Sequence, residues 1–282
     1  MTPAARAVPG GLLEAIAASV RTTLASRRAN VPMDAVARAA DEGRPDGRRF
    51  RDAISRDGRV NVIAECKRRS PSRGVLARAY APAEIARVYE RAGAAAISVV
   101  TEPTFFDGAL AHLEAVRAAT PLPVLRKDFI LDEYQLYEAR AAGADAVLLI
   151  VAMLDLASLA NLVRRAGDLG LAALVEVHSS RELGLARDAG ADIIGVNSRD
   201  LRTLAVDARV CDALIHEAPP GCVMVAESGI RSREDIGRLS ASGYGAFLIG
   251  ERLMTAPDPA VVLADLAGAA GEGGSTARGV RA

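Results

Sequence analysis

Two short apolar runs end in residues that move protons: Pro123–Arg126 leads into Lys127-Asp128-Phe129, and Ala172–Val177 contains Glu176 and is followed by His178. An amine and a carboxylate at such ends are suited to general acid and base work. A third run, Asn61–Cys66, closes as Glu65-Cys66-Lys67. Side chains alternate along a strand, so Glu65 and Lys67 share a face and Cys66 points the other way. That pair either forms a buried ion pair or addresses a ligand. Further runs end at Asn197, followed by Ser198-Arg199-Asp200, at Glu227-Ser228-Gly229 and at Gly250-Glu251. Each alone fits a structural salt bridge. Gathered at one place they demand so much desolvation that a ligand with several charges is the better account.

The elements that must gather them are legible as a repeat. Apolar runs occur at Asn61–Cys66, Ala96–Val100, Pro123–Arg126, Ala146–Val151, Ala172–Val177, Ile193–Val196, Val223–Ala226 and Ala246–Ile249. Their spacing of roughly 20 to 35 residues leaves room for one helix after each strand. Runs apolar on both faces suit a parallel sheet covered by helices. Ala92-Gly93, Ala142-Gly143 and Ala189-Gly190 read as helix C-caps, where glycine accepts the left-handed turn. Pro82, Asp132, Ser179, Ser232 with Asp235, and Asp258-Pro259 mark helix starts. Eight such units, with no dinucleotide-binding glycine fingerprint after the first strand, predict the α/β class and a (β/α)8 TIM barrel rather than an open sheet. The ends of all eight strands then share one mouth. Ser228, Gly229 and Gly250 follow the seventh and eighth strands, the usual phosphate position in this fold.

About sixty residues precede the barrel. Gly11 to Arg28 and Met33 to Gly43 carry helical spacing. They are expected to cap the barrel bottom; the functional alternative is that they cover substrate at the mouth. Residues 1–270 read as one domain, with 271–282 a Gly-rich, aperiodic tail expected to be disordered. Lys plus Arg and Asp plus Glu number 35 each, for zero formal charge, which argues against nucleic-acid or anionic-membrane partners. Three cysteines offer neither a disulfide framework nor metal-ligand spacing. No apolar run approaches the roughly 18 residues of a membrane span, and no signal peptide is evident. The expectation is a cytoplasmic protein.

The segments 63–72, 127–130, 174–177, 197–201, 226–230 and 247–251, in this order, resemble indole-3-glycerol phosphate synthase. The likeness runs from about Phe50 to Met254, and the N-terminal helical extension also fits. The resemblance implies a cofactor-free, metal-free carbon–carbon lyase of tryptophan biosynthesis. It closes 1-(2-carboxyphenylamino)-1-deoxyribulose 5-phosphate to an indole, with loss of carbon dioxide and water. It further implies that Lys127 is the general acid, Glu176 the general base, and Lys67 the holder of the substrate carboxylate. Glu65, Asn197 and Glu227 match polar pocket residues, the first two grouped with the catalytic set, and Arg199 matches an arginine nearby. Ser70, Ser228, Gly229, Gly250 and Glu251 match the phosphate and hydroxyl end. Phe106 and Phe129 match aromatics beside the anthranilate ring. A monomer acting on a small phosphosugar substrate is implied, open to transient contact with neighbouring enzymes of the pathway.

The chemistry of the residues agrees. Ring closure needs a proton on a carbonyl oxygen, and Lys127, with Lys67 and Arg199 expected close by, should have a lowered pKa. A carboxylate such as Glu176 suits the later proton removal. His112 and His216 read as surface residues, and His178 as pocket wall at most. The run Arg68-Arg69-Ser70 either steers a polyanion or is a solvated loop. Arg252 stands where the family commonly has a small residue. Rival readings are phosphoribosylanthranilate isomerase, a Schiff-base aldolase built on Lys127, and a non-catalytic phosphosugar-binding subunit. The isomerase would favour a Cys/Asp pair at the strand ends, the aldolase would be trapped by borohydride, and the subunit would not need both Lys127 and Glu176. The tail carries a prediction of its own: deletion of residues 271–282 leaves melting temperature and turnover nearly unchanged, as thermal denaturation and a steady-state assay would record.

Overall fold

The computed structural model describes residues 11–200 and 203–268, so the expected tail lies outside the described residues. Eight parallel strands close in chain order: β1 (Asn61–Cys66), β2 (Ala96–Val100), β3 (Val124–Lys127), β4 (Ala146–Ile150), β5 (Ala172–Val177), β6 (Ile193–Asn197), β7 (Val223–Glu227) and β8 (Ala246–Ile249). The ring is completed by β1 against β8, with Asn61 opposite Ala246. This is the (β/α)8 barrel expected from the repeat. The boundaries shift by a residue where local chemistry differs from hydropathy. Pro123 has no N–H for the ladder, so β3 starts one residue later. Lys127, Asn197 and Glu227 continue their strands because backbone pairing is indifferent to a polar side chain facing inward.

Period-two alternation divides the apolar residues between two cores. Val62, Ala64 and Cys66 of β1 pack outward against the surrounding helices, whereas Ile63, Leu125, Leu148, Leu174, Val225 and Leu248 fill the barrel. Cys66 is fully buried, and burial, with the Glu65 charge adding, pushes its thiol above the ordinary range. The helix punctuation follows the sequence. Ser232 and Asp235 form a reciprocal capping box. Asp132 and Ser179 cap their helices, and Gly93, Gly143 and Gly190 turn at φ of 90°, 87° and 82°.

One outward position breaks the apolar rule. Arg126 has no exposed surface. Its guanidinium lies 2.8 Å from Asp128 and 3.3 Å from Glu138 and donates to the Gln135 carbonyl at 2.7 Å. Asp128 also accepts from Thr101 Oγ1 at 2.7 Å and from the Phe129 amide at 2.8 Å. Burial favours the neutral acid, but Arg126, Thr101 and that amide outweigh it and hold the Asp128 carboxyl below its usual range. Such a satisfied ion cluster fixes the end of β3, since a lone buried charge there would be costly.

The N-terminal extension departs from expectation. It forms three helices rather than two, α1 (Leu12–Asn30), α2 (Met33–Glu42) and α3 (Gly47–Ala53), and they do not all cap the bottom. Ile16 and Val20 of α1 join the inner cluster with Phe129, and Leu12 and Ile16 line the cavity at the mouth. Arg27 of α1 reaches Glu138 at 3.1 Å. Helix α2 packs beside the helix Glu133–Ala141. Only α3 plugs the N-terminal end: Phe50 and Ile54, both fully buried, close the inner core from below. The hydrophobic spacing specified helices but carried no information on which rim of the barrel they meet.

The seating of α3 yields a prediction. The Gly47 amide donates to the Gly170 carbonyl at 3.0 Å, and a Cβ at Gly47 would lie 2.5 Å from the Ala172 amide nitrogen. Rigid backbone cannot yield as a side chain could. Gly47→Ala is therefore expected to cost about 2 kcal/mol of stability, read as a lower midpoint in urea denaturation.

Candidate active site

The C-terminal ends of the strands surround a cavity of about 680 Å³. Its lining includes every site residue expected from the sequence: Glu65, Lys67, Ser70, Phe106, Lys127, Phe129, Glu176, Asn197, Arg199, Glu227, Ser228, Gly229, Gly250 and Glu251. Of the polar residues named at strand ends, His178, Ser198 and Asp200 lie outside that lining.

At the floor, Glu65, Glu176 and Glu227 are each at most 2% exposed. Two ammonium groups meet them. Lys67 Nζ is 2.5 Å from Glu65 Oε1, while Lys127 Nζ is 3.1 Å from Glu176 Oε2 and 3.3 Å from Glu227 Oε2. Of the two alternatives for Glu65 and Lys67, the ion pair is present, and both residues line the cavity. The expected cationic neighbourhood of Lys127 is overturned. Arg199 is engaged by Glu251 at 3.3 Å, and what surrounds Lys127 is anionic. Burial alone would lower the Lys127 pKa, but Glu176, Glu227 and Glu65 outweigh it and raise it above the ordinary lysine value. The sequence showed charge at each strand end but not which ends are neighbours across the barrel.

The two carboxylates at Lys127 are not equivalent. Burial works against ionisation of both. At Glu176, Lys127 and His178 prevail, helped by Asn197, and the carboxyl is held below its usual range. At Glu227, burial wins despite Lys127, and the Glu176 charge adds to it, so its pKa is pushed up to about 8. Two neighbouring acids with pKa values driven apart are the pattern of a base beside a proton holder.

Glycines make space for two of these acids. A Cβ at Gly195 on β6 would lie 2.1 Å from Glu227 Oε1, and one at Gly250 would lie 2.2 Å from Glu65 Oε1. Gly250 thus has a steric reason to be glycine besides any approach to an anion. Gly195 escaped the sequence reading, although a glycine inside an otherwise apolar strand is a signal of close approach. Ser228 takes the left-handed conformation at φ 60°, followed by Gly229 at 75°. A serine held there stores strain of the kind found where a backbone is shaped for a ligand.

The aromatic wall is held by two buried acids. Glu102, 1% exposed, accepts hydrogen bonds from the amides of Thr104, Phe105 and Phe106, capping the helix Pro103–Phe106. Asp128 fixes Phe129 as described. The two rings meet at 5.9 Å between centroids, tilted by 39°. At the outer rim, Glu251 joins Arg199 to Arg73, the latter at 2.9 Å. Arg68 pairs with Asp107 at 2.8 Å, and Ser70 Oγ accepts from the Arg73 amide at 3.2 Å. The short hairpin Arg69–Ser70 with Gly74–Val75, which no apolar run announces, carries this part of the rim. His112, expected at the surface, is half-buried edge-on against Tyr80 at 5.1 Å. Among the described residues no group of three or more His, Cys, Asp or Glu has the arrangement to hold a metal ion.

Comparison with known proteins agrees with this geometry. The family model for indole-3-glycerol phosphate synthase matches residues 13–266. The chain is 49% identical over 256 residues to the indole-3-glycerol phosphate synthase of Parafrankia sp., covering 90% of this chain and 94% of that protein. It is 49% identical over 263 residues to indole-3-glycerol phosphate synthase 1 of Streptomyces coelicolor, covering 93% and 96%. Among solved structures, thiamine phosphate pyrophosphorylase from Pyrococcus furiosus aligns with a TM-score of 0.56 at 18% identity, over 73% of this chain and 93% of that one. That last likeness is one of fold alone.

The raised pKa of Glu227 fixes the sign of a stability effect. Between its ordinary value of 4.5 and its folded value of about 8, the native state holds a proton that the unfolded chain releases. This contribution is full below 4.5 and is lost as pH rises towards 8. Glu227→Gln should therefore flatten the dependence of melting temperature on pH in that interval and raise the melting temperature at its upper end, as differential scanning calorimetry would register.

Proposed function

The chain belongs to the indole-3-glycerol phosphate synthase family, and on that premise we propose how the groups at its barrel mouth divide the family's reaction. The enzyme converts 1-(2-carboxyphenylamino)-1-deoxyribulose 5-phosphate to indole-3-glycerol phosphate, carbon dioxide and water. Charge balance sets what the protein must supply. The substrate carboxylate leaves as neutral carbon dioxide and the ketone oxygen leaves as water. Two protons therefore enter that oxygen, and one is removed from the chain carbon beside the nitrogen.

In this reading Lys127 gives the first proton to the ketone as the aromatic carbon attacks it. Glu176, ionised beside it, takes the proton from carbon and returns it to Lys127 across their 3.1 Å contact. Glu227, protonated below about 8, holds a further proton 3.3 Å from Lys127. Lys67 binds the substrate carboxylate until it departs, with Glu65 orienting its ammonium. Asn197 orients Glu176. The anthranilate ring lies against Phe106 and Phe129. The phosphate meets Ser228, Gly229 and the Gly250 backbone, while Ser70, Arg199 and Glu251 bound the phosphate and hydroxyl end. The observation that carries the reading is the Lys127–Glu176 contact at the floor of a cavity walled on one side by an aromatic pair. A raised lysine pKa keeps the acid charged at neutral pH, and contact with a substrate carbonyl in place of a carboxylate would make it a stronger donor. The same proposal places the enzyme in the cytoplasm as a monomer, acting on its small substrate without a bound cofactor.

The direct test is indole fluorescence and absorbance on mixing purified protein with the carboxyphenylamino substrate. Lys127→Met and Glu176→Gln should each lower kcat by about 100-fold or more, with little change in KM. Lys67→Met should raise KM as well. Lys127→Met with parental kcat and only a higher KM would make Lys127 a binding residue. Crystals soaked in sulfate should hold the anion at Ser228, Gly229 and Gly250; an anion seen only at the opposite rim would overturn the phosphate assignment.

A further inference from the structure

Two buried polar atoms beside the cavity face each other with no hydrogen-bond partner: Nε2 of His178 and Oε1 of Glu176. They are 3.5 Å apart. The other ring nitrogen, Nδ1, lies 3.3 Å from Glu182 Oε2, and the same oxygen accepts the His178 backbone amide at 2.7 Å. Glu182 stands on the first turn of the helix Ser180–Asp188, so the ring is tethered by its own chain and aimed at Glu176. Each nitrogen of this imidazole therefore confronts a carboxylate oxygen, an acceptor. A neutral ring has only one N–H and would leave two acceptors opposed; only the imidazolium satisfies both sides.

We propose that His178 acts as a cationic positioning residue that makes Glu176, rather than Glu227, the ionised member of the acid pair at Lys127. This rests on the assignment of Glu176 as base. Both acids touch Lys127 and both are buried, so lysine does not tell them apart. His178 breaks the tie. Glu176 is held between two cations, Lys127 at one oxygen and His178 at the other, with Asn197 also favouring the ionised form, whereas the ion pair at Glu227 is with Lys127 alone. The opposite pKa directions of the two acids agree. For the ring itself, burial opposes the charged form, but Glu182, Glu176 and Glu227 outweigh it, so His178 stays protonated above its ordinary range. Among the described residues, strands β4 and β6 and the turn Val151–Met153 contain no ionisable side chain, Arg181 of the helix Ser180–Asp188 is exposed, and Asp155, the cap of the following helix, accepts the Ser158 amide.

The test is reciprocal, because two coupled charges shift each other equally. The chain has three histidines, so their imidazole signals in proton–nitrogen NMR are few enough to assign. His178 should titrate above the ordinary histidine range, and Glu176→Gln should bring it down. His178→Ala should move the acidic limb of kcat up by about one pH unit. Turnover then falls about 10-fold on that limb and recovers towards pH 8, with KM unchanged. Imidazolium added on the acidic limb should restore it. If His178→Ala does not fold, Glu182→Gln serves: it keeps an acceptor for the His178 amide and should lower the His178 pKa and shift the limb in the same direction. A parental acidic limb in these variants, or a His178 already neutral at pH 6.5, would overturn the proposal. Parental kcat in Glu176→Gln would instead remove the base assignment, a result separate from the NMR contact between the two groups.

Discussion

A barrel interior withdrawn from water cannot hold three carboxylates and two ammonium groups unless the charges balance, and that constraint organises the rest. Glu65, Glu176 and Glu227 face Lys67 and Lys127 across distances of 2.5 to 3.3 Å. The count closes when one acid keeps its proton, and Glu227 is the one whose surroundings favour it. A site poised in this way binds a multiply charged substrate by exchanging ionic partners rather than by creating charge where there was none. The cost of burying these groups is already met in the folded protein.

Everything that positions the cluster follows from strand geometry. Period-two alternation sends Glu65, Lys67, Lys127 and Glu176 inward while Cys66 and Arg126 go outward between strand and helices. Two glycines then leave the volume that the acid side chains occupy. At the mouth, short carboxylate caps rather than apolar packing fix the aromatic wall: Glu102 gathers three amides beneath Phe106, and Asp128 gathers one beneath Phe129. Polar groups buried so deeply are stable because almost all are satisfied. Of the nine buried side-chain atoms without a hydrogen-bond partner among the described residues, three, Glu176 Oε1, Glu227 Oε1 and His178 Nε2, lie together at the reacting end.

The barrel was legible because its information is local. Each apolar run, Ala-Gly cap and capping serine or aspartate acts within a few residues, and the strands depart from the hydrophobic runs by no more than one residue at an end. The composition of the site was legible for a related reason: charges closing apolar strands must lie at one mouth. Partnerships were not. That Lys127 meets Glu176 and Glu227 depends on side chains crossing the barrel, which no spacing along the chain encodes, and the expected lowering of its pKa failed on that point. The placement of α1 failed similarly, since Leu12, Ile16 and Val20 specify an apolar stripe but not the surface that receives it. Gly195 and Glu102 carried signals, a glycine within a strand and an acid before a proline, whose purpose emerges only once Glu227 and Phe106 are in place.

Glu138 is shared. One of its oxygens receives Arg126 from the barrel wall and Arg27 from α1, so the extension and the strand that carries Lys127 are anchored to the same atom. The extension is accordingly a splint as well as a rim. A chain trimmed past Arg27 would lose part of the counter-charge system behind β3, and its effects on turnover would mix an opened mouth with a loosened acid. Comparisons between barrels with and without such an extension therefore have to restore the charge at Glu138 before they measure what covering the mouth contributes.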